Sequence, residues 1–132
     1  MTITVYGVPA PQGSKRHVGR GVMIESSKKV KPWREAVKWA AIEVLVGRGI
    51  EGPIEVEVDF YFVHPKTGKR RPTHSVKPDI DKLLRSTFDA LTDAGVFEDD
   101  SRIVSVQARK HYATQYSPVP AGAVIRVERW IA

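Results

Sequence analysis

The chain has 132 residues, 42% hydrophobic and 27% charged, with a formal net charge of +6 and no cysteine. That length suits one domain with a genuine core, and no apolar run reaches the roughly 18 residues that a membrane span requires. Without thiols, disulfides and thiolate metal sites are excluded, so any metal must be held by oxygen or histidine.

The start, "MTITVYGVPAPQG", lacks the basic residues and apolar core of a secretory leader, and a cytoplasmic protein is expected. "TITVYG" alternates and is rich in β-branched residues, which predicts a first strand. "VPAPQGSKR" carries two prolines and a glycine and reads as loop. "HVGRGVMIES" fits a short hairpin about Gly19–Gly21. "SKKVKPWREAVKWAAIEVLV" predicts a helix, either capped by Ser27 or beginning later with Pro32 in its first turn. Its apolar positions are Val37, Ala40, Ala41, Val44 and Leu45, and Gly47 and Gly49 end it. Trp33 and Trp39 on this helix are expected as core or dimer contacts.

"IEVEVDFYFV" (54–63) sets Ile54, Val56, Val58, Phe60 and Phe62 in alternation, the clearest strand in the chain. "HPKTGKRRPTHSVKP" breaks all periodicity and is a long basic loop. In the next helix Ile80, Leu83, Leu84, Thr87, Phe88 and Leu91 share one face, and Gly95 stops it. "RIVSVQARKHYA" and "AGAVIRVERWI" are expected as closing strands, paired with each other through the "TQYSPVPAG" loop. The order β, hairpin, α, β, α, β, β predicts an α+β fold: a mixed sheet with two helices packed on it, in one domain spanning 1–132.

Charge is unevenly spread. Residues 1–50 carry a balance of +6, residues 51–78 of +1, residues 79–100 of −5, and residues 101–132 of +4. An acidic island in a basic chain is expected where the periphery attracts a polyanion and the island holds a cation; a solvated acidic helix face gives the same count. Asp79 and Asp81 are two apart, and inside a helix such positions point about 200° from each other. With Asp79 in an extended approach after Lys77-Pro78 and Asp81 at the helix cap, both face one way. Asp81 and Arg85 then stack at i and i+4. Asp99 and Asp100 follow Gly95 and reach the helix start only if the next strand runs beside it. Two or three such carboxylates suit Mg²⁺ or Mn²⁺, which would bind a scissile phosphate and activate water, with Lys82 or Arg85 offsetting transition-state charge. Singly, each acid has a plainer use as a helix cap or turn residue.

"KPDIDKLLRSTFDALTDAGVFEDD" (77–100) resembles the RusA-type Holliday junction resolvases of bacteria and phages. Their signature runs K/R-x-D-x-D-N-L-x-K-x-x-x-D-A-L, then a short glycine-containing turn, then D-D. "GVPAPQGSKR", the "WREAV" helix and the closing strands extend the resemblance along the chain. It implies a homodimeric, Mg²⁺-dependent endonuclease of the bacterial cytoplasm, of chromosomal, phage or prophage origin. Such an enzyme resolves four-way DNA junctions by symmetric paired nicks during recombination and repair. By motif position Asp79, Asp81 and Asp100 are the metal ligands. The family's catalytic lysine falls on Arg85 and its asparagine on Lys82. Arginine keeps the charge but donates no proton near neutral pH, so Lys82 and Arg85 both stand as the catalytic cation.

The loop with Lys66, Lys69, Arg70, Arg71, His74 and Lys77 lies directly before the acids and suits a DNA-contacting arm; Lys15 and Arg16 form a second phosphate-contact candidate. His17, His64, His74 and His111 show no metal-ligand spacing. A C2 dimer would match the two-fold symmetry of a four-way junction and double the charge that captures it. The alternatives are a broader branched-DNA nuclease acting on forks and flaps, and a non-catalytic DNA-binding module with structural acids.

Overall fold

The computed structural model describes residues 1–13, 28–66 and 71–132, together with the backbone of 16–18 and 22–24. In chain order the elements are β1 (Thr2–Tyr6), β2 (Arg16–Val18), β3 (Val22–Ile24), α1 (Val30–Val44), β4 (Ile54–Phe62), α2 (Ile80–Ala94), a 3₁₀ turn (Asp100–Arg102), β5 (Ile103–Tyr112) and β6 (Gly122–Arg129). β2 and β3 pair antiparallel, which gives the expected hairpin. The other four strands form one mixed sheet in the order β1-β6-β4-β5. The α+β architecture read from the sequence is therefore the one observed.

The closing strands do not pair with each other. β4 lies between them, parallel to β5 and antiparallel to β6. The cause is the helix between β4 and β5. A strand that returns through a helical crossover lands parallel to the first, and residues 113–121 then carry the chain past β4 to its other side.

Alternation sets the core. Ile54, Val56, Val58, Phe60 and Phe62 of β4 are buried, and so are Ile3 and Val5 of β1 and Ile125 and Val127 of β6. Both helices cover this face. α1 buries Val30, Trp33, Val37 and Ala41, with Pro32 in its first turn; Ser27, the alternative cap, lies outside the described residues. Val44, expected inside, is exposed at the last residue of α1, and Trp39 is exposed with its indole N–H on Glu35. α2 buries Leu83, Ser86, Thr87, Ala90 and Leu91. Between the helices the Trp33 indole N–H donates to Thr87 Oγ1 at 3.2 Å. Gly95, left-handed at φ 83°, closes α2: its N–H donates to Thr92 O and that of Val96 to Leu91 O, the two bonds of a Schellman motif.

The other face of the sheet is polar. Glu57 accepts from Arg109 at 2.7 Å and Arg126 at 2.9 Å, and Asp59 meets Arg109 at 3.2 Å and His111 at 2.7 Å. Tyr61 stacks on His111, and its hydroxyl pKa is pushed up by burial and then by Asp59.

Candidate active site

Asp79 is the cap residue of α2, with extended backbone at φ −70° and ψ 141°, and Asp81 lies in the first turn. Asp79 has the extended backbone expected of it, but the cap falls on Asp79 and not, as expected, on Asp81, because the helical turn begins directly at Ile80. Hydrogen bonds from three residues fix the helix start. Lys110 Nζ donates to Val76 O at 2.7 Å and to Pro78 O at 2.9 Å, clamping the chain just before Asp79 to β5. Ser86 Oγ donates to Ala10 O at 2.7 Å, and Gln12 N–H donates to Lys82 O at 3.0 Å, so the N-terminal loop is tied to α2 as well.

Lys82 Nζ stands 3.6 Å from Asp79 Oδ2. Asp81 and Arg85, although at i and i+4, make no ion pair with each other, and neither side chain has a partner among the described residues. A pocket of about 740 Å³ opens beside Asp79 and Lys82, with Val8, Pro11, Phe62 and Tyr112 among its walls.

The flanks of α2 differ. Lys82, Ser86 and Asp93 face the N-terminal loop and α1, where Asp93 pairs with Arg34 at 3.1 Å. At about 100° per residue, Asp81, Leu84 and Phe88 project from the opposite flank. Leu84 and Phe88, expected as core, are half-buried there.

The D-D pair is divided in use. Asp99 caps the 3₁₀ turn, accepting from Ser101 N–H at 3.1 Å, and hydrogen bonding by Ser101 holds its carboxyl below the usual carboxylate range. The exposed carboxylate of Asp100 has no partner among the described residues, which leaves it available as a ligand.

One chain, however, does not gather Asp79, Asp81 and Asp100. The fifteen residues of α2 extend about 22 Å at 1.5 Å per residue, and the acids bracket the helix. The same separation appears along β5, whose first residue, Ile103, lies opposite Ile54 just after Asp100, whereas Lys110 near its far end clamps the approach to Asp79. The strand after the helix therefore does not return Asp100 to the helix start. Among the described residues no three His, Asp or Glu side chains converge as a metal set. In chemistry the donors suit a hard divalent cation, all being carboxylate oxygens; in number, one end of α2 supplies two.

Of the basic residues, Lys66, Arg71 and Lys77 are exposed on the segment leading to Asp79. Lys15, Lys69 and Arg70, and the side chain of Arg16, lie outside the described residues. His74, grouped with this basic arm by sequence, is turned inward. The residue is 7% exposed and its ring stacks on Phe62 at 4.1 Å, and burial, then the Lys110 charge, lowers its pKa. Apolar neighbours outweigh the polarity of the loop that carries it. Lys110 was not singled out by its sequence. The available signal was its register: it alternates with Val106 and Ala108 on the helix side of β5, where a lysine requires partners.

The chain matches the family model described as endodeoxyribonuclease RusA over residues 6–127, and it belongs to that family. It is also similar to the crossover junction endodeoxyribonuclease RusA of Aquifex aeolicus (strain VF5), 27% identical over 103 residues that cover 78% of this chain and 74% of the relative.

Proposed function

We propose that this member of the RusA endodeoxyribonuclease family is a homodimeric, divalent-metal-dependent enzyme. It resolves four-way DNA junctions by paired, symmetric nicks in recombination and repair. The observation that carries the reading is the start of α2, where Asp79 caps the helix, Asp81 follows in its first turn, and Lys82 stands beside Asp79. This corner lies inside the stretch matched to the family.

Asp79 and Asp81 of one chain, with Asp100 of the partner subunit, would hold Mg²⁺ or Mn²⁺. A cation there supplies polarisation of the scissile phosphodiester and a more acidic bound water. The separation of Asp100 from Asp79 along α2 supports a set shared between chains. Lys82 offsets negative charge on the phosphate as it is attacked, and its pairing with Asp79 favours it over Arg85, which has no partner among the described residues. Lys66, Arg71 and Lys77, with Lys15, Arg16, Lys69 and Arg70, contact phosphates on either side of the cut. Two chains of +6 each give the association a strong electrostatic drive.

Mixed dimers test this reading. Asp79→Asn and Asp100→Asn chains are each expected to bind a labelled four-way junction without cutting it in Mg²⁺. Mixed after dissociation and reassociation, they should regain nicking of one strand per junction, because one of the two shared sites is intact. Continued inactivity of mixed dimers that still bind the junction overturns the shared site. Undiminished cutting by Asp81→Asn overturns the metal assignment.

A further inference from the structure

We infer that the pocket beside Asp79 receives one nucleobase, withdrawn from the stack at the branch point of the DNA. This rests on the reading above that branched DNA lies against Asp79, and it adds a site for a base to the contacts with phosphate.

The position of the pocket follows from the topology. β4 and β5 run parallel, joined through α2, and their last residues, Phe62 and Tyr112, are partners in register. The crevice outside the carboxyl ends of parallel strands, where the crossover helix begins, is a recurrent place for ligands. Here it measures about 740 Å³, within the range of cavities that hold small molecules, and its walls are mostly apolar. Three rings that line it form a ladder. Phe62 stacks on His74 with centroids 4.1 Å apart, and His74 meets Tyr112 at 4.9 Å. Val8, 57% exposed, stands on the rim.

Three features identify the occupant. Aromatic walls suit a flat ring, and stacking on such side chains is how proteins commonly hold unpaired bases. His74 supplies a polar atom: its Nδ1 is buried without a hydrogen-bond partner among the described residues, a state that buried polar groups rarely keep. Burial, then the Lys110 charge, lowers the pKa of this ring, so at pH 7 it is a neutral donor and acceptor, suited to the edge of a base rather than to a phosphate. An aliphatic ligand would leave that atom unpaired. Finally, Lys77, Asp79 and Lys82 share the same pocket, so a ring held inside leaves its own phosphate beside the acids and the lysines. A four-way junction interrupts stacking at its centre, where a base is least costly to withdraw.

The test uses the whole chain and reads the base without cutting. The fluorescent base 2-aminopurine brightens on leaving the stack. It is placed in turn at each nucleotide flanking the branch point of a four-way junction, which the protein then binds without metal. Fluorescence should rise several-fold at one position. Val8→Phe, which fills the pocket from its rim, should abolish the rise and retain junction affinity. Val46→Phe, at a 90% exposed position outside the pocket, should leave the rise unchanged. No rise at any position, or a rise that survives Val8→Phe, overturns the base site. In Mg²⁺, an abasic residue at the responding nucleotide should slow single-turnover nicking about 10-fold, the scale of one lost stacking contact. Val8→Phe should slow nicking of the intact junction equally and add nothing to the loss on the abasic one. Losses that multiply overturn the pocket as the place where the base acts. A base that enters the pocket of a junction never nicked upholds the base site and overturns the cutting reading instead.

Discussion

The Lys82 ammonium stands 3.6 Å from the carboxylate of Asp79, the residue that caps the helix carrying both, while Arg85 in the next turn has no partner among the described residues. Lys82→Met should lower single-turnover junction nicking about 10²-fold, the scale for removing one preorganised charge from a transition state. Junction affinity should be largely retained. Arg85→Met should have the smaller effect on the nicking step; the reverse order would move the catalytic charge to Arg85.

The basic arm predicts salt-dependent binding. Replacing Lys66, Arg71 and Lys77 together by alanine should weaken junction binding and flatten its dependence on salt. The slope of log K against log salt should fall by about 0.9 for each phosphate that the arm no longer neutralises on duplex DNA. Titrations at several salt concentrations measure it, and an unchanged slope would remove these residues from the DNA surface.

The link between the helices predicts a stability effect away from the acids. Thr87→Val takes the acceptor from the buried Trp33 indole N–H and should cost about 1–3 kcal/mol in urea unfolding. Trp33→Ala, which also empties core volume, should cost about 3–5 kcal/mol. A neutral Thr87→Val would mean that the indole finds another acceptor.

His74 predicts a stability change with pH. Its folded pKa lies below the ordinary 6.5, first because it is buried and then because Lys110 is near. The unfolded chain therefore takes up a proton at this residue more readily than the folded one. Stability should fall as pH drops through about 6.5 toward the lower folded value, with no contribution from this group above that range. His74→Phe should flatten this part of the melting profile, and a ring titration by NMR should give a midpoint below that of a free histidine.

Much of this was legible in the chain because it is local. The alternation of β4 and the turn chemistry of Gly95 depend on neighbours a few residues away, and both stand as read. The extended backbone of Asp79 followed from the same local geometry, whereas the cap, expected at Asp81, falls two residues earlier on Asp79. What was not legible depends on distant partners. β5 and β6 adjoin in sequence, yet β4 separates them, because the crossover fixes strand order and no local pattern records it. The acidic stretch looked like one cluster, although the helix inside it is a rigid spacer that holds Asp79 and Asp100 apart. His74 sits in a basic loop, and only the tertiary neighbour Phe62 explains its burial.

Lys110 grips the carbonyls of Val76 and Pro78, and so divides the segment before α2 mechanically into an arm and an anchored foot. His74, buried against Phe62, anchors the same foot four residues earlier than Pro78, while Arg71 before it is exposed. A cutting group that must stay in register with its scaffold and an arm that must follow an irregular substrate make opposite demands on one stretch of backbone. The Lys110 ammonium and the buried His74 ring together hold the foot against the sheet and keep those demands apart.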